Sequence, residues 1–248
     1  MNDMACTKIS STSTVKAGDK MQLHDTQTGY TPACEFSIKA ELGNIPTLLR
    51  PSKATNFVFE VIGLTDAQMN EVNNIDTKTK ILDCIERICT YGSMKFKKVQ
   101  NSKFSGNLML IETYMDSILA EMLLDYYQNN VRDCRTLVSR LEARNPMDYP
   151  RPGLYEYKFK KFLCAIALGM TPAKDWDGLY GADGGYVIVK HDGKVIAYDL
   201  YSRKAFKTYL LNNTKFESAS TSRYGYASIY KETDGKMYIK LNLQIRFT

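Results

Sequence analysis

The spacing of apolar residues changes twice along this 248-residue chain, and this change limits the possible folds more than any other feature. In the middle, apolar residues recur three and four positions apart, which is typical of helices with one buried face. Before residue 64 and after residue 184 the apolar residues alternate in short runs, which is typical of strands. The segments with helical spacing are 78–92, 107–130, 131–144 and 154–169. We therefore expect an α/β protein with a helical middle and a β-rich C-terminal region.

Turn-forming residues divide the β-type parts of the chain into hairpins. Residues 191–193 (His-Asp-Gly) separate two strand-like runs, and residues 233–235 (Thr-Asp-Gly) separate two more. Asp-Gly between alternating apolar residues is a strong hairpin signal. Near the N-terminus, residues 19–25 and 33–40 are expected to form a third hairpin. Within the helical middle, Ile111, Met115, Ile118, Met122 and Tyr126 form a stripe that we interpret as core packing.

Composition excludes several classes of protein. A chain with 44% hydrophobic and 24% charged residues is typical of a folded globular protein. It has no run of about eighteen apolar residues that could span a membrane, and its first twenty residues lack the apolar stretch of a secretory signal. The six cysteines form no CxxC pair and only two histidines are present, which argues against a disulfide framework and a zinc site. We expect a reduced, cytoplasmic protein without membrane contact.

The positive charge is concentrated at the C-terminal end. Residues 190–248 hold 11 Lys and Arg against 5 Asp and Glu, and this excess equals the net charge of +6 of the whole chain. The same segment is rich in tyrosine and phenylalanine. A basic surface interleaved with aromatic residues is typical of proteins that bind nucleic acid. The alternative is a β-rich region whose lysines are merely solvated, and a nucleic-acid-binding module of unrelated purpose also remains open.

The first hairpin can gather groups suited to a metal ion. If residues 26–30 form its loop, Asp19 lies opposite Ser37, and Lys39 lies two residues further along the same face. A carboxylate, a hydroxyl and an ammonium group would then meet at one end of two strands. Mg²⁺ commonly binds one or two carboxylates together with water and phosphate oxygens. A cross-strand Asp–Lys pair on a solvated sheet would have the same spacing.

Longer blocks of sequence resemble one family. Residues 15–57 contain an Asp strand, a Thr-Gly turn and then FSIKA, LG, PTLL and TNF in that order. The blocks TPAKDWDG, DGGYVIVKHDGKVIAYDLY, YLLNNTKFE, STSRYG and KLNLQIRF follow in the C-terminal half. Together these blocks resemble the HpaII-type restriction endonucleases, and they extend from about residue 16 to residue 247.

The resemblance implies a fold, an activity and partners. It implies a nuclease core of the PD-(D/E)xK kind with a mixed central sheet, and Mg²⁺-dependent cleavage of double-stranded DNA at a short palindrome, typically CCGG. After a loose segment 1–15, we expect a single nuclease domain 16–248. It would comprise a catalytic β region 16–62, a helical region 76–170 and a basic β region 176–248 for DNA recognition. A cognate cytosine methyltransferase is expected in the same system, without direct contact.

The resemblance also assigns catalytic roles. Asp19 is expected to bind the metal, and Ser37 replaces the usual acid of the (D/E)xK motif. Ile38 is expected to offer its backbone carbonyl to the metal. Lys39 is expected to orient and polarise the attacking water and to hold the scissile phosphate.

The chain departs from the family pattern at three points. Lys20 follows the aspartate where an apolar residue is usual, and the SIK block ends in Ala40. The chain begins eighteen residues before Asp19, so the glutamate of an upstream helix is expected to be absent. Glu35, as a metal ligand, or Glu41, as a catalytic acid, is expected to replace it. The alternative is an N-terminally truncated, catalytically weak relative that binds DNA without cutting it.

Sequence readout requires other residues. G·C pairs are read by Arg or Lys at guanine O6 and N7 in the major groove. The best candidate is Arg223, with Ser222, Tyr224 and Lys231 as its neighbours. The lysines expected to hold phosphates are Lys207, Lys215 and Lys240. Phosphate contacts of this kind fix the position of the protein on DNA but carry no sequence information.

Overall fold

The computed structural model describes residues 19–22, 33–40, 45–182, 185–190, 192–199 and 203–248. For 19–22, 33–34, 40, 197 and 199 only the backbone is described. The helices are α1 (Asp66–Asn73), α2 (Lys80–Tyr91), α3 (Ser102–Ile111), α4 (Met115–Asn129), α5 (Cys134–Arg144), α6 (Leu154–Leu168), α7 (Arg203–Asn212) and α8 (Thr221–Tyr224). The strands are β1 (Asp19–Gln22), β2 (Ala33–Ala40), β3 (Thr47–Leu49), β4 (Asn56–Ile62), β5 (Ser93–Val99), β6 (Gly185–Val189), β7 (Val195–Asp199), β8 (Thr214–Phe216), β9 (Ile229–Lys231), β10 (Met237–Asn242) and β11 (Ile245–Phe247).

The strands form three sheets around a helical layer. The first sheet has the order β1-β2-β6-β7, the second β5-β4-β10-β9 and the third β3-β11-β8. The first sheet is mixed, because β2 runs parallel to β6 while its other pairs are antiparallel. One continuous apolar cluster joins residues of α2 to α7 with residues of all three sheets. The expected combination of a mixed sheet, a helical middle and a C-terminal β region is therefore present.

The helical middle is built as its periodicity predicts, with one break. Met115, Ile118, Met122 and Tyr126 are at most 4% exposed, so the stripe packs into the core. The prediction of one continuous helix over 107–130 is wrong. Glu112 adopts an extended conformation and Tyr114 a left-handed one, which separates α3 from α4. The break turns the Glu112 carboxylate toward α6, where it accepts hydrogen bonds from two lysines, Lys158 and Lys161.

Two regions contain elements that the sequence analysis did not anticipate. The region expected to be helical includes β5, which pairs antiparallel with β4 and becomes the edge of the second sheet. The C-terminal region, expected to be β-rich, also contains α7, which buries Phe206 and Leu210. In the described parts of the chain, no helix combines the length and the apolar character that crossing a bilayer requires.

Two of the three expected hairpins have the predicted form. Strand β6 pairs with β7 and strand β9 with β10, both antiparallel. Gly193 and Gly235 have φ of +81° and +74°, a backbone conformation that favours glycine and explains the Asp-Gly turns. The third hairpin is antiparallel as expected, but its predicted register is wrong. Asp19 lies opposite Phe36, not Ser37.

Candidate active site

Strand β2 places three of the predicted site residues on one face of the first sheet. Glu35, Ser37 and Lys39 alternate along the strand and therefore share a side. In the parallel pairing with β6, Ser37 lies beside Tyr186 and Lys39 beside Ile188. This face turns toward α7, whose Phe206 ring lies 4.8 Å from the ring of Tyr186. Ser37 and Tyr186 are consequently fully buried.

Two hydroxyl groups on this face have no hydrogen-bond partner in the described part of the chain. Neither Ser37 Oγ nor Tyr186 Oη has one among the residues that the structure describes. Burial raises the pKa of Tyr186 well above its ordinary value, so its hydroxyl stays protonated at neutral pH. A buried hydroxyl without a partner costs about 1–3 kcal/mol. Such groups are uncommon in folded proteins, and each one calls for an explanation.

Lys39 is held in an electrostatically unfavourable place. It is partly buried and forms no ion pair with any residue of the described segments. Burial, and secondarily the guanidinium of Arg50, lower the pKa of Lys39 below its ordinary value. Arg50 is an exposed residue that directly follows β3. Two neighbouring cations of this kind would be stabilised by an anion bound between them.

Sequence reasoning missed Arg50 and Tyr186. Both stand inside or directly after blocks that carry the family resemblance: Arg50 follows PTLL, and Tyr186 belongs to DGGYVIVK. The blocks could have singled them out. Their position beside Lys39 and Ser37, however, comes from tertiary contacts and from the β2–β6 pairing, neither of which the linear sequence displays.

The remaining predicted metal ligands are only partly described. Asp19 lies in β1, next to the strand of Ser37 and Lys39, but the register places it opposite Phe36 and therefore at a position of the other face of the sheet. The predicted gathering of Asp19, Ser37 and Lys39 on one face is wrong. Glu35 lies opposite Lys20, and Ile38 lies beside Val187 of β6. Glu41 lies outside the described residues. Within the described ranges, no three His, Cys, Asp or Glu side chains come together as a metal cluster.

The predicted base-reading residues sit on a short helix beside the second sheet. Ser220 caps α8 by accepting a hydrogen bond from the backbone N–H of Arg223. The backbone carbonyl of Tyr224 accepts a hydrogen bond of 3.0 Å from Asn56 Nδ2 on β4. Arg223 itself is exposed, with its guanidinium carbon 5.7 Å from the centre of the Tyr224 ring. The sheet thus fixes the helix and leaves the Arg223 guanidinium in solvent.

Comparison with known proteins agrees with the resemblance over the whole chain. The family model described as HpaII restriction endonuclease matches residues 1–247. The chain belongs to the HpaII restriction endonuclease family. It is 41% identical to the type II restriction enzyme HpaII of Haemophilus parainfluenzae over 251 aligned positions, which cover 100% of this chain and 69% of that relative. No solved structure matches the chain. The prediction of a type II restriction endonuclease, a site-specific deoxyribonuclease, is confirmed.

In this member of the HpaII restriction endonuclease family, the lysines predicted to contact DNA are distributed over several elements. Lys240 on β10 is partly buried, with Nζ 4.9 Å from the centre of the Tyr230 ring. Lys231 on β9 forms an ion pair of 2.7 Å with Asp66 of α1. Lys207 lies on α7 in a cleft against α6, and Lys215 lies on β8 opposite Arg246. These lysines therefore do not form one cluster. Among them, only Lys240 lies on the same face of the second sheet as Tyr230.

Proposed function

We propose that this restriction endonuclease requires Mg²⁺ and hydrolyses phosphodiester bonds of double-stranded DNA at a short G·C palindrome, CCGG. One observation carries the proposal. A partly buried lysine, Lys39, stands beside Arg50 with no carboxylate partner in the described segments, on the strand next to Asp19. Unlike a solvated surface pair, this arrangement has no counter-charge among the described residues, and an anionic substrate would bring one. A DNA phosphate is the anion that the family's activity supplies.

The donor groups around this strand suit Mg²⁺ in their chemistry. Glu35 and Ser37 share a face, where Glu35 offers a carboxylate and Ser37 offers a hydroxyl oxygen that has no described partner. Ile38 offers a backbone carbonyl oxygen, and Asp19 is a carboxylate of the neighbouring strand at a register position of the other face. Mg²⁺ prefers oxygen ligands and uses only one or two protein carboxylates when phosphate and water complete its shell. When bound, the ion neutralises charge on the phosphoryl oxygens and lowers the pKa of a bound water. Glu41 stays a predicted additional acid.

The protein's own cations have separate tasks in this proposal. Lys39 donates hydrogen bonds to the scissile phosphate and to the attacking water, and its positive charge stabilises the charge that develops in the transition state. Arg50, at the exposed rim, holds a neighbouring phosphate oxygen. Tyr186 remains a neutral hydroxyl donor beside Ser37. None of these tasks requires a side chain to change its protonation state before substrate binds.

Recognition of the site is assigned to α8. Arg223 would donate two hydrogen bonds to O6 and N7 of a guanine, with Ser222, Tyr224 and Lys231 around it. Lys207, Lys215 and Lys240 would hold phosphates. The host genome carries the same sites, so a cognate cytosine methyltransferase is expected beside this enzyme in the cytoplasm, where both meet DNA.

Plasmid cleavage tests the proposed function. Unmethylated plasmid is incubated with the protein in Mg²⁺ and in EDTA, in parallel with plasmid methylated at CCGG and with the Asp19→Ala variant. We expect discrete fragments, ending at CCGG, only with unmethylated plasmid, Mg²⁺ and unmodified protein. Fragments ending at another sequence would contradict the CCGG assignment alone, and cleavage in EDTA would contradict the metal requirement. Intact plasmid in every reaction would contradict cleavage itself.

A further inference from the structure

The two faces of the second sheet have opposite characters. One face carries Phe57, Phe59 and Ile239, which are fully buried. Helices α2, α3 and α4 contact β5 from that side, and the Phe57 ring lies 6.3 Å from that of Phe104 on α3. The sheet's core contacts are made on this side. The character of the other face follows from the register of its four strands.

Cross-strand pairing places lysines on that other face. In one row, Lys98 of β5, Val58 of β4 and Lys240 of β10 lie opposite one another. In the next row, Lys95 lies opposite Glu60, which lies opposite Tyr238 and then Tyr230. We call the surface of Lys95, Lys98, Lys240 and Tyr230 the lysine face.

On the lysine face, charged side chains surround buried apolar residues. Val58 and Tyr238 are only 1% and 2% exposed, whereas Lys95 and Lys98 are exposed. The aliphatic parts of lysine side chains can cover such apolar residues while the ammonium groups stay in water. The backbones of Lys98 and Lys240 are separated by two strand spacings, about 10 Å. Their ammonium groups can therefore reach different phosphates of one DNA strand.

The three lysines of the lysine face have no ion-pair partner among the residues that the structure describes. Of the carboxylates at this face, Glu60 forms an ion pair of 2.7 Å with Lys236, and Asp234 accepts a hydrogen bond of 2.7 Å from Tyr238 Oη. Lys95, Lys98 and Lys240 form no ion pair with a residue of the described segments. Lys231 differs: it lies opposite Met237 on the core side of the sheet and is paired with Asp66. The lysine face is thus net positive.

The lysine face continues into the predicted base-reading helix. Asn56 is the first residue of β4 and lies on the same face as Val58. Its side-chain amide donates a hydrogen bond to the backbone carbonyl of Tyr224. The backbone N–H of Ala227, three residues after α8, donates to the carbonyl of Lys240. Arg223 therefore stands at the border of the lysine face. A duplex that presents its major groove to Arg223 would bring its backbone onto the neighbouring lysines.

We propose that the lysine face binds the DNA phosphate backbone, with Lys95 and Lys98 of β5 as its principal contacts. This inference rests on the proposed function, since it takes DNA as the partner. It adds a strand from the helical middle of the sequence, about 125 residues before Arg223, to the DNA-binding surface. Phosphate contacts position a protein without reading sequence. The lysine face should accordingly contribute equally to binding of cognate and other duplexes.

Salt-dependent binding tests the inference. The dissociation constant of the full chain is measured in EDTA, which prevents cleavage, with a short CCGG duplex and with a scrambled duplex over a range of NaCl concentrations. The test variant is Lys95→Gln/Lys98→Gln. The matched control is Lys103→Gln/Lys194→Gln, which removes two exposed lysines that have carboxylate partners, Asp175 and Asp192. Thermal denaturation checks that all proteins are folded.

We expect the test variant to bind both duplexes about tenfold more weakly at low salt. The slope of log K against log salt should fall by about 1.8, since each lost phosphate contact removes about 0.9. The control should bind like the unmodified protein. A folded test variant with unchanged affinity and slope, or a control that loses as much, would overturn the inference and leave the proposed function intact. Failure of the unmodified protein to bind either duplex would overturn the inference, and plasmid cleavage in Mg²⁺ would still test the proposed function on its own.

Discussion

The helical layer and two β surfaces differ in whether their charged residues have ion-pair partners. The two surfaces are the face of the first sheet that carries Lys39 and the lysine face of the second sheet. In the helical layer, Asp125 is 3% exposed and accepts two hydrogen bonds from Arg140, of 2.8 and 2.9 Å. Glu112 likewise accepts from two lysines of α6. At the β surfaces, Lys39 and the lysine face have no carboxylate partners in the described segments. Asp125 and Glu112 are thus paired within the protein, whereas Lys39, Lys95, Lys98 and Lys240 have no ion-pair partner in the part of the chain that the structure describes.

Under the proposed function, this difference separates charges that stabilise the fold from charges that bind DNA. Burial alone would raise the pKa of Asp125, yet hydrogen bonds from Arg140 and Asn129 hold it below its ordinary value. The protein thus stabilises the ionised form of a buried acid. For Lys39, burial and Arg50 both act against the ionised form. A partner from outside is needed to reverse that balance, and the polyanionic substrate of a nuclease can supply it.

The largest expected effect tests whether Lys39 serves the ligand. We expect Lys39→Met to lower the cleavage rate by about 10²-fold or more, since it removes a cation beside the developing phosphoryl charge. Thermal stability should stay equal or rise, because an unpaired, partly buried ammonium group is lost. Since the folded state lowers the pKa of Lys39, the unfolded chain binds more protons. The unmodified protein should therefore gain stability as pH rises toward 10.5, and Lys39→Met should lack this gain.

Cleavage assays and denaturation curves at several pH values check this prediction. Lys39→Arg serves as the control, because it keeps the positive charge and most of the volume. If Lys39→Met lost stability in parallel with activity, Lys39 would stabilise the fold. The distinction between the two regions would then not hold for this residue.

The second prediction concerns a charge that serves the fold. Asp125→Asn should destabilise the protein by about 2 kcal/mol, since hydrogen bonds to a charged group are weakened, while DNA affinity stays unchanged. The lowered pKa of Asp125 means that its contribution is present at neutral pH and is lost as pH falls through that pKa. The difference in melting temperature from the unmodified protein should therefore shrink in acid.

The matched control is Asp175→Asn, which removes the partner of Lys103 from an exposed pair of 2.9 Å. Exposed pairs contribute little to stability, so this variant should melt close to the unmodified protein at every pH. Equal destabilisation by both substitutions would show that burial of Asp125 adds nothing.

Local chemistry explains which parts of the fold could be predicted from sequence. The β6–β7 and β9–β10 hairpins were predictable because an Asp-Gly turn fixes both the connection and the register of each pair. The β1–β2 register was not, because the ten positions between the two strands in the sequence leave the register undetermined. The break at Glu112 was also hidden, because the α6 lysines that bind the Glu112 carboxylate lie far away in sequence.

The candidate site was likewise predictable only where a local sequence pattern determines it. Ser37 and Lys39 share a face because of strand alternation alone, and the resemblance singled them out. Arg50 approaches Lys39 from the end of the third sheet, and Tyr186 reaches Ser37 through parallel pairing with a strand about 150 residues away. Lys95 and Lys98 were missed for a related reason. Their strand, β5, lies between helical segments of the sequence. Its pairing with β4, which places both lysines on the lysine face, cannot be derived from the linear sequence.

The third prediction tests sequence readout beside the lysine face. Arg223→Ala should reduce discrimination between CCGG and a scrambled duplex by about 1–3 kcal/mol, the value of one bidentate guanine contact. Non-specific affinity should survive, because the lysine face remains. Competition binding with the two duplexes measures the ratio, and Arg151→Ala removes an exposed arginine of the α5–α6 connection as the control. Loss of specific and non-specific binding together would make Arg223 a phosphate contact or a folding residue.

The smallest expected effect concerns two buried tyrosines that differ in one respect. Tyr127 Oη donates a hydrogen bond of 3.2 Å to the carbonyl of Asn242, whereas Tyr186 Oη has no partner in the described segments. Tyr127→Phe should therefore cost about 1 kcal/mol, while Tyr186→Phe should leave the melting temperature unchanged or higher. Cleavage should fall a few-fold only for Tyr186→Phe, since only that hydroxyl lies beside Ser37. If Tyr186→Phe were as destabilising as Tyr127→Phe and fully active, the unpartnered hydroxyl would serve the fold, and the distinction between the two regions would not extend to neutral groups.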